Sequence, residues 1–154
     1  MTPRLILLCG LPGAGKTTLA KQLAGSVPAV RLCPDEWMAD LAVDLFDADF
    51  RLRLERALWR HAQVLLRLGQ SVVLEYGFWS RAERSAMLAD GRALGATVEL
   101  RYLDVPLEEL VRRLEVRNGF GAVSISREML LDYAELFEAP DLAELDRFDP
   151  APGR

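Results

Sequence analysis

Eight residues from Gly10 to Thr17, GLPGAGKT, carry the densest chemistry in the sequence. They match the pattern G-x-x-x-x-G-K-[ST], in which glycines let backbone N–H groups turn inward around phosphates, the lysine reaches the β and γ phosphates, and the final hydroxyl binds magnesium. The match predicts a site for ATP and Mg2+ built from Gly10, Gly13, Ala14, Gly15, Lys16, Thr17 and Thr18. A plain glycine turn between a strand and a helix rarely supplies Gly-Lys-Thr at this spacing.

Two carboxylates stand where such a site needs them. Asp35 follows an apolar run at the point where an open α/β sheet binds its ligands, so it can accept the proton of an attacking hydroxyl; after Pro34 it can equally cap a helix. Glu75 closes the apolar run SVVLE, and a carboxylate there is costly unless it works. Its expected task is to hold a magnesium-bound water, the alternative being a strand end that has turned into solvent. Tyr76, Phe78 and Trp79 come next and either wall a substrate pocket or pack under the sheet edge. Arg113 and Arg117 are one helical turn apart, so they either close over the γ-phosphate or make surface salt bridges. His61 falls on the apolar seam of its helix and reads as a boundary residue.

These groups need a frame. Residues 4–9 form an uninterrupted apolar run, the mark of a strand buried on both faces in a parallel sheet, and residues 29–33, 71–75 and 97–103 repeat it with helical segments between. That alternation predicts right-handed βαβ units and a doubly wound α/β sheet. Ser80 with Glu83 opens a helix to about Leu94 that Gly95 ends, Pro106 starts another, and a helix from Ser126 to Phe137 stops before Pro140. Residues 118–124, NGFGAVS, read as a mobile loop, and residues 151–154 as a disordered tail. Between the second and third runs, Glu36, Asp40, Asp44 and Asp47 recur at helical spacing on one stretch. Arg53, Arg56, Arg60 and Arg67 recur on the next, opposite a seam of Leu54, Leu58, Leu65 and Leu68. Both stripes read as solvated faces.

Composition sets outer bounds. A chain of 154 residues, 51% apolar and 27% charged, suits one domain over residues 1–150. No run approaches the length of a membrane span or a signal peptide, so a cytoplasmic protein is expected. Two cysteines, Cys9 and Cys33, and one histidine provide neither a disulfide framework nor a His/Cys metal cluster. A net charge of −4 argues against broad binding to nucleic acid.

GLPGAGKTT at Gly10–Thr18, the aspartate Asp35, VVLEYGFWSR at Val72–Arg81, LDVPLEELVRRLEVRN at Leu103–Asn118 and LLDYAELFEAP at Leu130–Pro140 together resemble one family. It is the group of small P-loop kinases that contains polynucleotide kinase, chloramphenicol phosphotransferase, zeta toxin and predicted ATP-binding kinases. The resemblance covers nearly the whole chain. It implies a P-loop NTPase fold with at least four parallel strands in the order 2-3-1-4 and a helical lid over about residues 113–127. It also implies that Asp35 is the hydroxyl-activating base and that Arg113 and Arg117 are the lid arginines. Two positions depart from the family. Glu75 stands where an aspartate is commoner, and the final strand is reduced to residues 145–149, LDRFD, leaving the adenine pocket open or completed by a second subunit of a homodimer.

The expected activity is transfer of the γ-phosphoryl group of ATP to a hydroxyl of a small molecule. The alternatives are a polynucleotide 5′-hydroxyl kinase and an ATP-dependent switch that transfers nothing. Residues 35–49, which should border the acceptor, hold six acids and no lysine or arginine, which favours a small molecule over a nucleic acid strand.

Overall fold

The four apolar runs pair into one parallel sheet, and their order decides where the glycine loop sits. In the computed structural model, which describes residues 2–118 and 125–152, the strands are β1 (Arg4–Cys9), β2 (Ala29–Leu32), β3 (Ser71–Gly77) and β4 (Thr97–Tyr102). They lie in the order β2-β3-β1-β4, as the resemblance implied. Leu5 of β1 stands beside Val72 of β3 on one side and Val98 of β4 on the other, so the strand that feeds the loop is flanked by both. Residues Leu5 to Cys9 are fully buried, which is why that run is apolar at every position.

Each parallel pair requires a helical crossover, and the helices cover both faces. Against one face packs α1 (Lys16–Ser26), setting Leu19, Ala20 and Leu23 on Ile6, Leu8 and Val73. Against the other pack α3 (Ala48–Arg67) and α4 (Arg81–Ala93), setting Leu58, Ala62, Leu66 and Leu88 on Leu5, Leu7, Val72 and Leu74. A third, smaller core forms at the loop itself. Leu110 and Leu114 of α5 (Leu107–Asn118) and Leu130 of α6 (Arg127–Leu136) close on Ala14. Truncating Leu114 to alanine should cost about 2–5 kcal/mol and loosen the loop it braces.

Several ends follow the sequence closely. Ser80 accepts from the Glu83 N–H at 3.0 Å, Ser126 accepts from the Met129 N–H at 3.1 Å, and Gly95 adopts a left-handed φ of 82° beyond α4. Pro106 stands just outside α5, its carbonyl accepting from the Glu109 and Leu110 N–H groups.

Other expectations need correction. The acidic stripe does not lie on one helix: α2 (Pro34–Asp40) ends early, Ala42 takes a left-handed φ of 59°, and Asp47 instead caps α3 by accepting from the Phe50 N–H. The seam of α3 runs through Leu58, Ala62 and Leu66, while Leu68 is 78% exposed and His61 is exposed. Arg53, Arg56, Arg60 and Arg67 form a solvated face.

The short fifth strand is absent from the described residues. Asp141 caps α7 (Leu142–Leu145), accepting from the Glu144 N–H at 2.8 Å, and residues 146–149 leave that helix as a turn and coil instead of the expected strand. The buried Arg84 guanidinium draws Glu144 inward through bonds of 2.6 and 2.9 Å. Asp149 meets the free edge of β4, donating its N–H to the Val98 carbonyl and accepting from the Val98 N–H. Residues 119–124, the middle of the expected lid and most of the expected mobile loop, and residues 153–154 of the expected tail lie outside the described residues. Among the described residues no helix is long and apolar enough to cross a membrane.

Candidate active site

The glycine loop connects β1 to α1 at the C-terminal edge of the sheet. Gly15, at the start of α1, has φ 102°, a conformation that side chains rarely adopt. The loop is fastened from β3: the Gly10 N–H donates to the Gly77 carbonyl at 3.0 Å and the Trp79 Nε1–H donates to the Gly10 carbonyl at 3.3 Å. A Cβ added at Gly77, whose φ is 83°, would lie 3.0 Å from that indole nitrogen.

Lys16 folds over the mouth of the loop, its Nζ donating to the carbonyls of Gly10 at 3.0 Å and Leu11 at 2.9 Å. Burial lowers its pKa, and the negative charge of Asp35 and Glu75 opposes that. The Thr17 hydroxyl donates to Glu75 Oε1 at 3.0 Å. Glu75 has not escaped to solvent; its side chain is 2% exposed. A hydroxyl and a carboxylate side by side are hard oxygen donors, which suits Mg2+.

The other oxygen of Glu75 pairs with Arg31 Nε. The same guanidinium holds Glu36 through two bonds, of 2.7 and 2.9 Å, and so ties the end of β2, the start of α2 and the end of β3 into one cluster. The expected pull of these carboxylates shows in Arg31, whose pKa rises despite burial. Sequence reasoning missed this residue. Its signal was an arginine interrupting the strand AVRL.

Asp35 is the second residue of α2, whose N-cap position is Cys33 with no side-chain bond, so the capping alternative is not realised. Its carboxylate, 65% exposed, accepts at Oδ1 from Arg51 Nη1 at 2.5 Å, and Arg51 Nη2 is anchored on the Leu45 carbonyl at 2.7 Å. Arg51 too was invisible to spacing, because the contact crosses between two helices.

From α5, Arg113 donates Nη1–H to the Gly13 carbonyl at 3.1 Å and Nε–H to Glu109 at 3.0 Å. Arg112 points away and holds Glu109 through two further bonds. Hydrogen bonds from Arg112 and then Arg113 hold the Glu109 carboxyl down at about 2. Arg117 lies one turn beyond Arg113, exposed.

The three aromatics divide. Phe78 is fully buried and stacks on Tyr76 with ring centroids 5.4 Å apart, while Trp79 meets Tyr133 at 5.1 Å. Phe78 therefore packs under the edge, and its carbonyl accepts from Arg84 at 2.8 Å. Cys9 and Cys33 are buried free thiols, pushed up to about 11 by burial. An open cleft of about 1160 Å³ runs along the free edge of β4, from Leu19 and Leu103 beside the loop to Phe148.

The sequence matches the AAA domain family over residues 5–140. A search of curated proteins found no match. Among solved structures, a chain of the Pnkp1/Rnl/Hen1 RNA repair complex is similar at TM-score 0.77 and 22% identity, covering 96% of this chain and 47% of that one. A gluconokinase from Sinorhizobium meliloti 1021 is similar at TM-score 0.64 and 19% identity, over 90% of this chain and 77% of that one. Chaetomium thermophilum Kti12 in complex with ADP-AlF3 is similar at TM-score 0.69 and 17% identity, over 89% and 81%. This chain thus spans about half the length of the repair-complex chain. At these identities the likeness is one of fold, a P-loop sheet shared with kinases.

Proposed function

The chain belongs to the AAA domain family, and from that premise we propose that it is a Mg2+- and ATP-dependent kinase whose acceptor is a hydroxyl of a small molecule. The observation that carries this reading is the grouping at one sheet edge. Lys16, Thr17 and Glu75 close a donor cluster, and Asp35 stands at the end of β2, near enough to act on the charge of Lys16.

In this reading Lys16 exchanges the carbonyls of Gly10 and Leu11 for the β and γ phosphates, and the loop N–H groups and the start of α1 cradle the remaining oxygens. Thr17 and Glu75 would hold Mg2+, which when bound supplies charge neutralisation between the β and γ phosphates. The acceptor hydroxyl attacks the γ-phosphorus, a new O–P bond forms, the bond to the β–γ bridging oxygen breaks, and ADP leaves. Asp35 takes the hydroxyl proton. Arg51 engages its Oδ1, which leaves Oδ2 for that transfer. Arg113, already at the loop, and Arg117 beyond it would turn onto the γ-phosphoryl group as charge develops. The β4 cleft is suited to the adenine base.

Six acids across residues 35–49 support a small acceptor over a nucleic acid strand. The exposed arginine face of α3 favours the second reading, a polynucleotide 5′-hydroxyl kinase. Transfer from γ-labelled ATP to a panel of metabolites, antibiotics, nucleosides and oligonucleotides separates them. Label on a small hydroxyl compound is expected. Efficient 5′-labelling of an oligonucleotide, weakening steeply with salt, would overturn the small-molecule assignment, and label released only as inorganic phosphate would overturn the kinase.

A further inference from the structure

One cleft on the acceptor side has a composition that the transfer chemistry does not use. It measures about 190 Å³ and lies between α3, the end of β3 and α4, with Trp59, Tyr76 and Met87 forming an apolar wall. Glu55 of α3 and Glu83 of α4 both line it. Neither carboxylate accepts a side-chain hydrogen bond or makes an ion pair among the described residues. Two of the nearby cations are committed elsewhere and a third is turned to solvent. Arg51 holds Asp35, Arg84 is closed on Glu144 and the Phe78 carbonyl, and Arg56, which also borders the cleft, is exposed.

Burial pushes the Glu55 carboxyl up to about 7, with repulsion from Glu83 adding to it and Arg51 opposing it, and burial raises Glu83 as well. Two carboxylates set against aromatic rings and not ion-paired by any described residue suit a cation, which gains from both the charge and the ring face. The cleft also lies within reach of the proposed chemistry. Arg51, which grips Asp35, precedes Glu55 on α3 by one turn, about 5.4 Å, and Asp35 adds to the electrostatic load on Glu55.

We propose that the acceptor carries a cationic amino group together with its hydroxyl. The cation sits between Glu55 and Glu83 against Trp59 and Tyr76, and the hydroxyl extends along α3 to Asp35. This rests on the kinase reading for the fate of the hydroxyl, but the cation site stands on the cleft alone. A neutral acceptor would leave both carboxylates unpaired on binding, and a phosphorylated one would be repelled.

Two measurements test it. In the first, amino alcohols, amino sugars and aminocyclitols are each offered with γ-labelled ATP beside the counterpart in which hydroxyl replaces amine. Amine-bearing members should be labelled, and Glu55→Gln and Glu83→Gln should each raise acceptor KM roughly tenfold or more while KM for ATP stays constant. Equal or better labelling of the neutral or anionic counterparts overturns the assignment. The second needs no turnover. Choline and its uncharged isostere 3,3-dimethylbutan-1-ol are titrated against the Trp59 indole signal, assigned with Trp59→Phe. Choline should shift the signal, and Glu83→Gln should weaken that binding. An equal response to the isostere, or none to either, overturns the cation site. Choline binding without label transfer to any hydroxyl would instead refute the kinase and leave the site standing.

Discussion

In the proposed kinase, the donor and acceptor sides of the crevice are built from different materials. On the donor side the main chain does the holding: the Gly10 N–H is bonded to Gly77, Trp79 braces the Gly10 carbonyl, Lys16 rests on two loop carbonyls, and Arg113 reaches a third at Gly13. On the acceptor side the contacts are between side chains from different elements, Arg51 with Asp35 and Arg31 with Glu36 and Glu75, and the key carboxylate is largely exposed. A main-chain cradle suits a ligand common to a whole family. A ring of side chains on α2, α3 and α4 suits a ligand that changes from one member to the next.

The largest expected effect lies on the donor side. Lys16→Ala should lower turnover by at least about 10³-fold with little loss of fold, because among the described residues Lys16 bonds to loop carbonyls alone. Wild-type turnover in a folded variant would remove the basis for treating that side as the catalytic half. On the acceptor side, Asp35→Asn keeps the shape and removes the proton acceptor, so kcat should drop by roughly 10²–10⁴-fold while ATP affinity stays within a few-fold. Since Asp35 is not the cap of α2, thermal stability should hardly move. A stability loss with activity intact would make the Arg51 pair a structural clasp.

Arg113→Ala should fall between the sides, with kcat reduced about 10²-fold and ATP binding nearly unchanged, because among the described residues the guanidinium bonds to Gly13 and Glu109 before substrate arrives. A change confined to ATP affinity would assign Arg113 to ground-state binding instead.

The smallest effect runs the other way. With its folded pKa raised to about 7, Glu55 binds more protons in the folded chain than in the unfolded one. The stability that its neutral form contributes is therefore full below about pH 4.5 and is lost as pH rises through 7. Glu55→Gln should stabilise the fold at pH 8 by about 1–2 kcal/mol, after discounting for partial exposure, and do little at pH 4.5. Urea unfolding at both pH values checks this, and no difference between them would mean that the carboxylate carries no such strain.

The same division explains what the sequence disclosed. The β1 run, Gly-Lys-Thr, Ser80 with Glu83, and Gly95 were readable because each rests on local backbone rules. Arg31 and Arg51 were not, since their partners depend on β2–β3 register and on how α2 meets α3. The acidic stripe misled because spacing alone cannot register the left-handed turn at Ala42. At the expected fifth strand the chain instead leaves α7, whose Glu144 is buried against Arg84, a contact across 60 residues that local spacing does not announce.

In the proposed reaction, one edge of the sheet joins a donor cluster at Lys16 to an acceptor base at Asp35. Single-turnover transfer from γ-labelled ATP, comparing the wild-type chain with Asp35→Asn at saturating ATP and acceptor, tests it most directly. Label is expected on an acceptor hydroxyl in the wild type, and in the variant a transfer step slowed by roughly 10²-fold or more with ATP still bound. Transfer at equal rates in the two proteins would contradict it.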